Sequence, residues 1–164
     1  MMMHAVARTA GAVTLSADER LILWGMRTWI AGTHAEIPVS ELLARTFATV
    51  GAELAVPTLD SVMALLHAAR LQGFHHPWCR CMSDEERLLL DILALHQRGE
   101  DGAALFLTRM LLSRSAARLL GASLHALATA LLVCGVRLSD GRGRTAKAAT
   151  MPPAVWAPST ATLH

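Results

Sequence analysis

The sequence has no tyrosine, and aromatic residues occupy only 4% of its 164 positions. A sheet-built core draws on aromatic and β-branched side chains, so this scarcity argues against one. Hydrophobic residues still make up 53% of the chain, and they are mainly Ala, Leu, Val and Met, which favour helix. Charge is sparse as well. The formal net charge of +2 is too slight to imply nucleic acid, because phosphate-binding domains usually concentrate a basic face. The excess is local to Arg137, Arg142, Arg144 and Lys147, and the rest of the chain is near neutral.

Cysteine is scarce too. Cys79, Cys81 and Cys134 are an odd number without a disulfide-framework spacing, and eight methionines would be oxidation targets outside a reducing compartment. A cytoplasmic protein is expected. Met1 to Arg8 lacks the apolar stretch of a secretory signal and reads as a frayed leader. No Gly-rich phosphate loop, Gly-x-Ser-x-Gly elbow, paired-His helix motif or calcium-binding loop is present. Gly141-Arg142-Gly143-Arg144 follows a helix instead of opening one.

What is there is helix. One domain with one core is the expectation at this length. Ser16 and Glu19 form a capping box before Leu21 to Ile30, with Gly32 as the expected stop; Ser16, Arg20 and Arg27 fall on one narrow polar stripe. A second helix runs from Pro38 or Ser40 to Val50 and stops at Gly51. A third runs from Pro57 to Gln72 under a Gly73 cap, with Leu59, Val62, Leu66 and Ala69 on one face and Asp60 and His67 opposite. Ser83 and Glu86 cap a fourth that Gly99 ends. Asp101 caps a fifth reaching Leu112, and Ser113 or Ser115 a long sixth reaching Cys134 before Gly135.

Residues 119–136 carry no charge and could by length span a membrane, but Ser123, His125, Thr129 and many small residues dilute the stretch, so a central bundle helix is the better reading. The two capping boxes begin similar stretches, Ser16-Ala17-Asp18-Glu19-Arg20-Leu21 and Ser83-Asp84-Glu85-Glu86-Arg87-Leu88, which suggests a three-plus-three plan. The expectation is therefore an all-α bundle of about six helices in residues 15–138, after a flexible leader at 1–14 and before a disordered tail at 139–164.

Chemistry concentrates in one turn, His75-His76-Pro77-Trp78-Cys79-Arg80-Cys81. His75, His76, Cys79 and Cys81 offer imidazole and thiolate ligands for zinc or iron, with a fourth ligand from His67, His96 or Cys134. Cysteines one residue apart are closer than structural zinc sites normally use, and a disulfide between them is expected to be strained. The plainer reading is a connecting loop in which Phe74 and Trp78 plug the gap between helix ends and the cysteines act as small hydrophobes. A reactive Cys81 thiolate would gain from Arg80 and the helix N-terminus but is opposed by Asp84, Glu85 and Glu86. Elsewhere His125 reads as a core histidine, and Trp24 and Trp29 as core or groove-lining residues. Pro152, Pro153 and Trp156 form an extended, singly aromatic segment suited to a protein partner.

The block from Cys81 to His96, together with Leu15-Ser16-Ala17-Asp18-Glu19-Arg20 and the Trp-containing helix behind it, resembles small Ala- and Leu-rich helical proteins of bacteria, an uncharacterised family. The resemblance spans residues 15 to about 135 and implies no activity. Taken together, the sequence reads as a non-catalytic interaction or regulatory protein that binds a protein partner or a second copy of itself. A metal-binding or thiol-redox protein centred on the cysteine turn is the alternative, and a DNA-associated helical regulator a further one. Contact with a membrane or nucleic acid is not expected.

Overall fold

A computed structural model describes residues 14–139. Residues 1–13 of the expected leader, residues 140–164 of the expected disordered tail and the interaction segment at Pro152, Pro153 and Trp156 lie outside these residues; Ser139, the first residue of that tail, donates from Oγ to Glu19 Oε1 at 2.6 Å. Six α-helices follow in order: α1 (Ala17–Ala35), α2 (Ser40–Ala48), α3 (Val56–Ala68), α4 (Asp84–Gln97), α5 (Asp101–Leu111) and α6 (Arg114–Val133), with one 3₁₀ turn at Glu53–Ala55 before α3. No strand occurs among the described residues. The fold is the all-α bundle expected from composition and periodicity.

Both capping boxes form. Ser16 Oγ accepts the Glu19 N–H at 3.1 Å while Glu19 Oε2 accepts the Ser16 N–H at 2.8 Å, and Ser83 and Glu86 repeat the exchange at 3.0 and 2.9 Å. Helices α1, α2 and α3 pack on one another, as do α4, α5 and α6; α3 against α6 and α1 against α4 join the two trios. Large apolar side chains such as Met26, Phe47, Leu66, Leu90 and Leu124 fill the interior without solvent contact, and Trp24 and Trp29 pack half-buried around it.

α6 is the one described helix long and apolar enough to cross a membrane. Its Leu120, Leu124, Leu127 and Leu131 are buried in the bundle, while Leu119 and Val133 face outward. It is therefore an amphipathic wall of the bundle with one buried face, not the central helix expected.

Two helix ends differ from expectation. Gly32 does not stop α1, which continues to Ala35 and closes on Glu36 in the left-handed region. The glycine is needed for room instead, since a Cβ there would stand 2.4 Å from Val39 Cγ1. α3 ends at Ala68, earlier than Gln72, because Arg70 takes a φ of 58° and Leu71 N–H returns to Leu66 O. Gly73, with φ 101°, lies in the connection beyond, under Glu85, and does not cap the helix. This early stop leaves residues 69–83 as a long crossing between α3 and α4, and the cysteine turn lies in it.

Candidate functional site

The crossing is held from below by a buried ion pair. Arg27 of α1 and Glu86 of α4 are 3% and 0% exposed; Nε donates to Oε1 at 2.7 Å and Nη2 to Oε2 at 2.8 Å. The same guanidinium reaches further, with Nη1 donating to Cys79 O at 2.7 Å and Nη2 to Cys81 O at 2.6 Å. The planar fork of an arginine suits this task, because it can hold a carboxylate and two carbonyls at once. Glu86 is equally occupied. Besides Arg27 and the Ser83 cap it accepts the His75 N–H at 2.9 Å, so both ends of the turn are tied to one carboxylate. Burial by itself raises the Glu86 carboxyl, but hydrogen bonds from Arg27, Ser83 and His75, with the nearby positive charge, overcome this and leave it below the ordinary 4.5.

This pair was not legible as such. Of the two arginines on the polar stripe of α1, Arg20 is exposed, whereas the side chain of Arg27 points inward. The one available signal was that Arg27 is the single charged residue in the stretch Leu21 to Ile30 of α1.

With both carbonyls gripped, the turn folds tightly. Cys79 and Cys81 come to a Cα separation of 5.4 Å and form a disulfide. That lies within the usual range of about 4.4–6.8 Å. The pairing corrects the reading of these residues as small hydrophobes. Cys79 is half-buried and Cys81 exposed. The Cys81 N–H points at Cys79 Sγ at 3.4 Å, and His75 Nδ1 lies 3.6 Å from Cys81 Sγ and 3.3 Å from Glu86 Oε2. Trp78 does not plug the gap between helices: it is 62% exposed, while Phe74 alone packs against the core.

Of the four expected metal ligands, three converge. His75 Nδ1, Cys79 Sγ and Cys81 Sγ all lie within 4.8 Å of one another. While the sulfurs are bonded to each other neither is a thiolate, so this set fits a metal only after reduction. His76 stays outside the group; it is exposed, with Nδ1 accepting the Trp78 N–H at 3.4 Å. The expected fourth ligands are also elsewhere. His67 meets Trp29 and His34, His96 meets Asp101, and Cys134 is a free thiol at the end of α6. Among the three carboxylates expected to oppose a thiolate, Glu86 is neutralised by Arg27.

A second cluster lies outside the turn. Asp101 does not cap α5 but occupies its first helical position, and its Oδ1 meets His96 Nδ1 at 2.7 Å and His125 Nδ1 at 3.1 Å. His125 is therefore not a core histidine: its side chain is 50% exposed, and its partner is a carboxylate. Comparison with protein-family models, with curated proteins and with solved structures gives no match, so any functional reading rests on the geometry of these residues.

Proposed function

We propose that the protein is a non-catalytic, redox-responsive regulator in which Cys79 and Cys81 interconvert between disulfide and dithiol. The observation that carries this reading is the grip of Arg27 on the carbonyls of both cysteines and on Glu86, because it couples the state of the cysteine pair to the seam between α1 and α4. An external thiolate attacks the exposed Cys81 Sγ, and Cys79 leaves as a thiolate toward which the Cys81 N–H already points. A second thiolate then attacks the external sulfur of the mixed disulfide and releases Cys81. One disulfide and two external thiols become two protein thiols and one external disulfide. His75 Nδ1, beside Cys81 Sγ, is placed to exchange the proton.

Trp78 supports a protein as the partner of this turn, since a large exposed aromatic next to a reactive pair gives a partner an apolar anchor. In a reducing cytoplasm the dithiol is the resting form and the disulfide the signal. The test equilibrates full-length protein at graded glutathione ratios, alkylates it and counts labels by mass. Three labels when reduced and one when oxidised, with a shift in tryptophan emission between them, is the expected result; three labels at every ratio would remove the reading.

A second reading follows from the convergence of His75 Nδ1, Cys79 Sγ and Cys81 Sγ: the reduced form takes up zinc or iron. Metal analysis in reducing buffer, with Cys79→Ser and Cys81→Ser as controls, decides it. Sub-stoichiometric metal that neither substitution changes eliminates it.

A further inference from the structure

We propose that His96, Asp101 and His125 form a divalent transition-metal site that clips together α4, α5 and α6, independently of the cysteine turn. The three residues come from the last turn of α4, the first position of α5 and the middle of α6, so only the packed trio brings them together. Their ligand atoms all lie within 4.8 Å of one another, and the two imidazole rings stand nearly perpendicular at 5.3 Å between centroids. Two imidazoles and one carboxylate on one side of a cation, with the remaining positions open, is a recurrent arrangement for zinc and non-haem iron or cobalt.

Both rings turn the same nitrogen, Nδ1, toward the same oxygen of Asp101. Without a metal each Nδ1 must carry a proton for these contacts to be hydrogen bonds. A cation bound there takes the two Nδ1 lone pairs, and each ring keeps its proton on Nε2. For His96 the exchange leaves the number of unmet groups unchanged. Its Nε2 is buried without a partner, so one buried group stays unsatisfied there whether it is a lone pair or an N–H. Nδ1 is thus the one nitrogen of that ring positioned to meet a ligand.

Charge is favourable as well. An aspartate carboxyl is ionised at neutral pH and supplies a negative charge to a cation there. The neighbouring Glu100 is engaged by Arg98 at 2.6 Å and does not crowd the site. Metal–ligand bonds of about 2.0–2.2 Å place donor atoms slightly farther apart than the present 2.7 and 3.1 Å. Asp101 and His125 side chains are 58% and 50% exposed and have the freedom to make that adjustment. Their exposure also leaves the open positions facing solvent.

The test keeps the Cys79–Cys81 disulfide intact, so that the turn offers no thiolate, and titrates full-length protein with Co²⁺ while following its visible absorption. One Co²⁺ per chain is expected, without a thiolate-to-cobalt charge-transfer band. Asp101→Asn and His125→Ala should each weaken binding by at least the roughly 10–100-fold that loss of a supporting ligand contact costs. Cys79→Ser with Cys81→Ser should leave it unchanged. His125→Gln, which keeps a polar side chain at a half-exposed position, guards against loss of fold. Absence of a cobalt spectrum at excess metal, or binding that both Asp101→Asn and His125→Gln leave intact, overturns the site. Either result leaves the glutathione titration of the cysteine pair unaffected.

Discussion

Arg27 and Glu86, 59 positions apart in the chain, meet as a buried bidentate pair, and the arginine carries the backbone of both Cys79 and Cys81 on the same guanidinium. Removing one partner leaves a buried charge without compensation. Arg27→Met is expected to destabilise the protein by about 3–5 kcal/mol. Adding Glu86→Gln, which keeps the size of the side chain and removes its charge, should restore part of that loss. Urea unfolding of the single and double variants measures both; an additive double variant argues against the coupling.

Acid should act through the same carboxylate. Glu86 has a folded-state pKa below the 4.5 of the unfolded chain, so the unfolded state binds more protons in that window. Its contribution is fully present above the unfolded value and is lost as pH falls through the folded one. Melting temperature should therefore decline below about pH 4.5, with a shallower decline in Glu86→Gln. Asp101 is lowered too, by its two histidines, but it is exposed, and added salt should screen its share. A decline identical in wild type and Glu86→Gln would assign the effect elsewhere.

Gly32→Ala tests the close approach of the segment after α1. The new Cβ would meet Val39 Cγ1 at 2.4 Å and Ile37 O at 3.0 Å. Overpacking of this kind costs about 1–3 kcal/mol, although alanine is the better helix former. Val39→Ala in the same chain should recover much of it, and a stabilised Gly32→Ala protein would contradict the packing described.

Gln97 anchors the segment after α6. Its Nε2 donates to Ala128 O and Val136 O, and its Oε1 accepts the Leu138 N–H at 2.9 Å. Gln97→Met keeps the bulk and leaves these groups without their partner, an expected loss of about 1–3 kcal/mol. Hydrogen exchange at the Leu138 amide should accelerate more than exchange in the middle of α6. Equal protection in both proteins would show that burial of Val136 and Leu138 suffices.

Much of the fold was legible because its signals are local. Ser16 with Glu19 and Ser83 with Glu86 were read from three-residue spacings, and Gly51, Gly99 and Gly135 each sit just past a helix with positive φ. A local signal loses its meaning where a distant residue acts on it. Gly32 looked like a stop because Val39, which requires it, packs back onto the helix. Asp101 looked like a cap until His96 and His125 claimed its carboxylate.

The candidate site shows the same division. Sequence alone determined that His75, Cys79 and Cys81 share one turn and that a capped acidic helix begins just after it, since chain proximity requires both. It also determined the all-helical core, because helix propensity and apolar period act within a few residues. Tertiary structure alone decided that the cysteines form a disulfide instead of packing as hydrophobes, and that Arg27 is buried under them. A buried charge is tolerable only with its partner in place, and that partner lies on another helix whose position no local pattern encodes.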